Sequence, residues 1–86
     1  MADLELRRLL ALQAIAETGS FWAAAEQLGC SLSALSQQIA TVEKLLDASL
    51  IERSRGRRKV TITEAGMLLL KHAEVIVGRL RAVHAD

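Results

Sequence analysis

Apolar residues recur along most of the chain with the period of an α-helix, most clearly in its middle. One stripe consists of Leu35, Ile39, Val42 and Leu46. Its steps of four, three and four residues are those of the buried side of an amphipathic helix. The pattern predicts a helix from about Leu32 to Leu46, with short polar side chains on the other face at Ser33, Ser36, Gln37 and Thr41.

Two shorter helices are predicted before this one. The first spans about Leu4 to Thr18 and ends at Gly19, with an inner face formed by Leu6, Leu9, Leu10 and Ile15. The second follows Ser20, which can cap it, and ends at Gly29, because glycine adopts a left-handed backbone at little cost. Three small side chains let another helix approach the second one closely: Ala23, Ala24 and Ala25.

The second and third predicted helices have the spacing of a helix-turn-helix. Ala25 is followed by glycine after four residues, by Ser31 two residues later and by the pair Leu35-Ser36 after four more. Ser31 can cap the third helix by accepting a backbone N–H near Ala34. This arrangement is typical of a tight pair of helices that binds DNA. Glycine turns also join amphipathic helices in many other helical proteins.

The hydrophobic period changes at Asp47-Ala48-Ser49, where the third helix is predicted to end. Residues 50–53 and 59–62 are short, β-branched and roughly alternating, which predicts two strands. The tip between them contains Gly56, which can supply the positive φ that such tips need. A helix-turn-helix followed directly by a two-stranded hairpin is a winged helix.

A long helix is predicted from Glu64 to about Val83, capped by Thr63. It is apolar on more than one side, and one three-helix core cannot cover all of these residues. Five of them follow the seam spacing of paired helices: Leu69, Ala73, Ile76, Leu80 and Val83. We therefore expect a dimerisation helix. The alternative is a helix that a later part of a longer chain covers.

The predicted fold class is mainly α. It consists of a winged helix-turn-helix of three helices and a two-stranded wing in residues 1–63, followed by a long dimerisation or linker helix in residues 64–86. Eighty-six residues leave room for one core only. Because Phe21 and Trp22 are the only aromatic residues, that core must consist of Leu, Ile, Val and Ala.

Charge is distributed unevenly although the net charge is only +1. Residues 53–59 contain five of the eleven basic residues and no acidic one. The other six basic residues face all ten acidic residues, so the rest of the chain carries a net charge of −4. A concentrated cationic loop next to a helix-turn-helix indicates a local site for a polyanion. A solvated turn or a localisation-type basic run is the alternative.

Several classes of protein are not expected from this sequence. Cys30 is the only cysteine, which excludes a disulfide within the chain. The lack of a disulfide fits a protein of the reducing cytoplasm. We expect the Cys30 side chain to be a small buried apolar group. No apolar run approaches the length of a membrane span. His72 and His84 lie far apart without partner ligands, so we expect no metal site, no cofactor and no enzymatic activity.

The order and spacing of several motifs identify a family resemblance. Residues 14–66 resemble the N-terminal winged helix-turn-helix domain of LysR-type transcriptional regulators, and the likeness extends through the last helix. The matching pieces are the helix Leu9–Glu17, Gly19-Ser20-Phe21, Ala24–Leu28, Ala34-Leu35-Ser36, Gln38-Ile39, Glu43, Leu50–Arg53 and Thr63–Gly66. The resemblance implies a bacterial transcription factor that acts as a dimer or a dimer of dimers, with any small-molecule effector bound by a C-terminal domain missing here.

The resemblance also implies roles for individual residues. The recognition helix would carry Ser31, Leu32, Ser33, Ser36, Gln37 and Gln38. Phosphate contacts before and within the second helix would involve Ser20, Trp22 and Ala23. The wing would contribute Arg53, Arg55, Arg57 and Arg58.

The sequence departs from the family pattern at the recognition positions. Leu32-Ser33 stands where the family usually has Gln-Pro, and Trp22 where a small hydroxyl residue is common. These changes put the DNA sequence in doubt and leave the fold expectation intact. We expect sequence-specific binding of double-stranded DNA at a dyad-symmetric site by a homodimer. A winged helix used for protein assembly is the alternative function.

Overall fold

The computed structural model describes residues 5–52 and 59–85, and this part of the chain forms four helices and two strands. In chain order these are α1 (Leu6–Thr18), α2 (Phe21–Leu28), α3 (Leu32–Leu46), β1 (Ile51–Glu52), β2 (Thr61–Ile62) and α4 (Glu64–Ala85). The two strands are antiparallel neighbours, with Ile51 opposite Ile62. The predicted mainly α fold with a helix-turn-helix and a two-stranded hairpin is confirmed.

Three of the four helices, α2, α3 and α4, begin after a short hydroxyl side chain. The side chains of Ser20 and Ser31 accept the backbone N–H groups of Ala23 and Ala34 at 3.2 and 3.0 Å. In the same way Thr63 accepts from the N–H of Gly66 at 3.0 Å. All three predicted caps are confirmed, and each satisfies a backbone donor that the helix itself leaves unpaired.

The helices end in left-handed backbone. Gly19 closes α1 with φ 71° and Gly29 closes α2 with φ 69°, as predicted. α3 ends at Asp47, which has φ 51°. Aspartate tolerates this conformation better than most residues because its short polar side chain can bond locally.

The core lies where α1 is enclosed by the other helices. Its largest fully buried side chains are Leu12, Ile15, Leu35, Ile39, Val42 and Leu50. Of the predicted inner face of α1, Leu9 and Ile15 are buried, Leu10 is half-buried, and Leu6 is exposed at the first turn. The prediction for Leu6 was wrong. α1 contacts α2, α3 and α4, so its buried face is wider than one leucine stripe and includes Ala11, Leu12 and Ala14.

The stripe predicted for α3 is buried except at its last member. Leu35, Ile39 and Val42 are inaccessible, whereas Leu46 is 43% exposed, so including Leu46 in the buried stripe was wrong. Leu46 is the final residue of α3, and the chain turns away at the next residue.

Polar contacts tie the base of the hairpin to its neighbours. A carboxylate oxygen of Glu43 on α3 accepts the backbone N–H of Leu50 at 2.8 Å. The Thr63 hydroxyl donates to the carbonyl of Ser49 at 2.5 Å, and the Thr63 N–H donates to the carbonyl of Leu50 at 3.0 Å. The N–H of Val60, on the other arm, donates to the carbonyl of Gly19. The hairpin base is therefore joined to α3, α4 and the turn after α1.

The first half of α4 shares the core of the helix-turn-helix unit. Leu70, Ala73 and Val77 are buried, and α4 packs against α1. Gly66 lies so close to the hairpin that a Cβ atom there would be 2.5 Å from the carbonyl oxygen of Leu50. After Val77, α4 is exposed as far as Ala85. The division of the chain after residue 63 stays a prediction.

Within the part of the chain that the structure describes, no helix combines the length and the apolar character needed to cross a membrane.

Candidate nucleic-acid interface

The outer side of α3 presents small polar groups on a helix whose inner side is fixed in the core. Ser33 and Gln37 are exposed, and they lie opposite the buried side chains of Leu35, Ile39 and Val42. We call Ser33 and Gln37 the polar crest of α3. At about 1.5 Å per residue the helix is roughly 22 Å long, a rod that the major groove of DNA accommodates. Because the inner side is buried, the orientation of the crest is fixed.

The N-terminal end of α3 is open to solvent. Ser31, Leu32 and Ser33 are all exposed. The Ser31 hydroxyl accepts the Ala34 N–H, and it keeps its own proton for donation to a second group. This end of a recognition helix is the part that contacts base edges in helix-turn-helix proteins.

Two predicted recognition residues lie on the flanks of α3 and not on its crest. Ser36 is half-buried, and so is Gln38. The side-chain oxygen of Gln38 accepts the Nε–H of Arg8 on α1 at 3.1 Å. The structure therefore joins Gln38 to α1, and a role for Gln38 at a base edge depends on the family resemblance alone.

The residues predicted to contact phosphate surround the first turn of α2. The Ser20 hydroxyl caps the helix by accepting the Ala23 N–H, and both residues are half-buried. Trp22 is 71% exposed, a large value for an indole ring. The N-terminus of a helix carries partial positive charge, which favours a phosphate group nearby.

The predicted wing contacts Arg53, Arg55, Arg57 and Arg58 lie outside the described residues, as does Gly56 at the predicted tip. Lys59, at the edge of the described part, is exposed. What the structure adds is the fixed hairpin base, formed by β1 and β2.

Two contacts found in the structure were not predicted from the sequence. Glu43, which was named only as a match to the family, holds the backbone of Leu50, and Arg8 reaches Gln38 thirty residues away. The sequence signal for the first contact is an acidic residue in the last turn of a helix, shortly before the break at Asp47. Nothing in the sequence pattern indicates the second. Cys30 is exposed, so the expectation of a buried thiol was wrong.

The five residues predicted to form the seam of α4 do not share one environment. Ala73 is fully buried against the chain's own core, and Leu69 is half-buried against it. Ala73 therefore cannot supply an intermolecular contact, because the chain itself already covers its side chain. An apolar strip remains open on α4, formed by Leu68, Val75, Ile76, Leu80 and Val83.

The sequence of the chain matches one family of regulatory proteins. Residues 6–67 match the family model of bacterial regulatory helix-turn-helix proteins of the lysR family. A probable RuBisCO transcriptional regulator of Porphyra purpurea is 45% identical over 85 residues, which cover 96% of this chain and 25% of the relative. The transcriptional regulator PtxR of Pseudomonas aeruginosa is 41% identical over 83 residues, covering 96% of this chain and 26% of PtxR.

Solved structures share the whole architecture. The DNA-binding domain of BenM, in complex with catB site 1 DNA, superposes with a TM-score of 0.87 at 32% identity and covers 95% of this chain and 89% of that one. The DNA-binding domain of CbnR in its DNA complex gives a TM-score of 0.85 at 32% identity, covering 95% and 92%. The present chain spans about a quarter of the length of the curated relatives it matches.

Proposed function

Since the chain belongs to the lysR family of bacterial regulatory helix-turn-helix proteins, we propose that its 86 residues bind double-stranded DNA sequence-specifically as the DNA-binding domain of a transcriptional regulator. α3 would enter the major groove, and the arginines of residues 53–58 would contact the phosphate backbone. In a bacterium this activity would be exercised in the cytoplasm. A small-molecule effector would be bound outside this chain.

The observation that carries the proposal is the contrast between the two sides of α3. The inner side is fully buried and holds the helix in place, while the polar crest of Ser33 and Gln37 is exposed. A helix held in this way presents hydrogen-bonding groups at a constant distance and angle, as direct contact with base edges demands. Five basic residues in the adjacent segment 53–59 supply the charge for phosphate contacts.

We propose further that the chain forms a homodimer through the apolar strip of α4, so that two copies of α3 address the two halves of a dyad-symmetric site. Ile76, Leu80 and Val83 are exposed and follow the seam spacing predicted from the sequence. A two-fold axis that pairs this strip with itself would bury these residues and match the symmetry of the site.

A protein assembly module is the second candidate function. The same apolar strip favours it, because an exposed apolar patch marks a protein contact. This candidate gives no reason for five basic residues in a segment of seven.

Selection from a random duplex pool tests the proposal. Protein at micromolar concentration is incubated with the pool at moderate salt, and bound duplexes are amplified and sequenced over several rounds. We expect an enriched motif with dyad symmetry. Enrichment of no motif would overturn sequence-specific binding, and the absence of any salt-dependent binding to duplexes as well would leave the assembly module as the better account.

A further inference from the structure

Two large apolar side chains border one surface cleft between α2 and α3. Trp22 and Leu32 line it together with Ser20, Phe21 and Val60. They also line an adjoining depression with Ala25, Glu26, Cys30 and Ser31. Trp22 is 71% and Leu32 is 43% exposed, so both keep apolar area in water that a ligand could cover.

The cleft continues directly into the proposed DNA interface. Leu32 is the first residue of α3, and the next residue is Ser33 of the polar crest. Trp22 is the second residue of α2, the helix that crosses the DNA backbone in a helix-turn-helix complex. A duplex engaged by the crest would therefore bring the major-groove edge of a base pair to the mouth of the cleft.

The chemistry of the lining selects among the groups that a duplex offers. Leucine can neither donate nor accept a hydrogen bond, and among the edges of the four bases in the major groove only thymine carries an apolar group, its 5-methyl. A phosphate near the N-terminus of α2 can contact backbone N–H groups there, but the Leu32 side of the cleft offers it no hydrogen bond, and Glu26 on the adjoining side would repel it. None of the described side chains that line the cleft proper carries a charge.

We infer that the cleft between Trp22 and Leu32 receives the 5-methyl group of a thymine in each half-site. This inference rests on the proposed DNA binding and specifies one base that the binding selects. Leu32 contacts the methyl group, and the Trp22 ring closes the outer wall of the cleft and excludes water.

Replacement of thymine by deoxyuridine tests the inference, because it removes only the methyl group. The starting duplex carries the motif that the selection from the random pool enriched. Each thymidine in it is replaced in turn by deoxyuridine, and the Kd of the protein for each duplex is measured. We expect one position per half-site at which the replacement raises the Kd about fourfold, which is about 0.8 kcal/mol at 1.4 kcal/mol per tenfold. Replacement of the thymine in both half-sites together should raise the Kd on the order of tenfold.

Variants assign the effect to the cleft. Leu32→Ala should bind thymine and deoxyuridine duplexes equally at that position, and Trp22→Ser should reduce the difference. Leu46→Ala is the matched control, since Leu46 lies at the other end of α3 with the same 43% exposure, and it should retain the full fourfold effect. Circular dichroism verifies that every variant is folded.

Three results would overturn the inference. The parent protein could tolerate deoxyuridine at every position, or Leu32→Ala could remain as sensitive as the parent. Trp22→Ser could instead weaken binding to all duplexes alike with the methyl effect unchanged, which would assign the cleft to the sugar–phosphate backbone. If random selection returns no motif at all, the proposed function fails before any deoxyuridine is tested, so the two failures are distinguishable.

Discussion

α3 and α4 are both amphipathic helices with one buried side, but their exposed sides differ in kind. Apart from leucines at its two ends, Leu32, Leu45 and Leu46, the open side of α3 carries Ser33 and Gln37, which water solvates readily. The open side of α4 carries the apolar strip, including Val75 and Ile76, which water solvates poorly. A helix with a polar exposed side is stable in water without a ligand, whereas a helix with an apolar exposed side is stabilised by a partner that covers it permanently. The contrast supports the two proposed roles, reversible DNA recognition by α3 and dimer assembly by the apolar strip of α4.

The two helices also differ in how they are anchored. α3 is fixed by buried side chains in its middle, from Leu35 to Val42. α4 is fixed at its N-terminal part, from Gly66 to Val77, and the residues after Val77 are exposed as far as Ala85. Recognition of base edges demands a constant orientation, while a dimer contact can supply its own rigidity once it forms.

Truncation of a buried side chain of α3 should produce the largest effect, a loss in the free energy of unfolding. Leu35 is fully buried, so Leu35→Ala should lower the free energy of unfolding by about 2–5 kcal/mol, through lost burial and the cavity left behind. A domain of this size has little stability in excess of that amount. Urea unfolding followed by circular dichroism measures the change. Leu46→Ala, on the same helix but 43% exposed, should cost under about 1 kcal/mol. Equal losses in the two variants would contradict the one-sided burial of α3.

Charges placed in the apolar strip should separate assembly from recognition. Ile76→Glu combined with Leu80→Glu would bury two unpaired charges per chain in the proposed dimer, which is enough to dissociate a modest interface. The variant should sediment as a folded monomer. Its affinity for a full dyad site should fall on the order of a hundredfold, while affinity for a single half-site changes little, because joint binding of two linked copies is lost.

The matched control for this variant carries the same change of charge elsewhere. Arg7→Gln combined with Gln27→Glu also lowers the net charge by two, at exposed positions on α1 and α2. It should remain a dimer. A parent protein that is monomeric at high micromolar concentration would contradict the proposed dimer, and so would an Ile76/Leu80 variant that still dimerises.

Two glycines of α4 should respond in opposite ways to the same substitution. At Gly66 a Cβ would lie 2.5 Å from the Leu50 carbonyl oxygen and from a methyl group of Ile62, so Gly66→Ala should destabilise the fold by about 1–3 kcal/mol. At Gly78 the space around a Cβ is open, and Gly78→Ala should stabilise it by up to about 1 kcal/mol, because alanine favours the helix. Thermal unfolding of both variants measures the difference. If Gly66→Ala is neutral, the close contact between α4 and the hairpin base does not exist in solution.

A substitution in the polar crest of α3 should change the specificity of DNA binding and leave the stability of the fold unchanged. Gln37 is exposed, and its amide can pair with the N6 and N7 atoms of adenine, worth about 1–3 kcal/mol of discrimination. Gln37→Ala should relax base preference at one position per half-site and leave nonspecific affinity and unfolding unchanged. Gln27→Ala, on the exposed side of α2, is the control. Repeated selection from the random pool measures the preference, and an unaltered motif would remove Gln37 from base contact.

The features that depend on neighbouring residues could be predicted from the sequence. Caps at Ser20, Ser31 and Thr63 need only a hydroxyl side chain ahead of a helix, and the bounds of α3 follow from its apolar period and from the break at Asp47. These are local consequences of the backbone's unpaired donors and of side-chain size, and tertiary packing did not override them.

The features that depend on distant residues could not be predicted in this way. The helical period assigns Ala73 and Ile76 to the same apolar seam, but it cannot show that the fold buries Ala73 and leaves Ile76 exposed. The contact between Arg8 and Gln38 joins residues thirty positions apart, and it places Gln38, which only the family resemblance had assigned to recognition, on the flank of α3. Likewise, Leu6 fits the apolar pattern of α1, but it is exposed in the first turn of the helix.

In the proposed dimer, the close approach at Gly66 would set the spacing between the two halves of the DNA site. Without a side chain at this position, the start of α4 rests directly on the hairpin base, and that base is bonded to α3 through Glu43. Because α4 continues as one helix to Ala85, its heading is set at that contact. In the proposed dimer, the distance and phase between the two recognition helices are fixed by the same contact. A longer side chain at this position would therefore shift the preferred separation of half-sites even where the protein still folds.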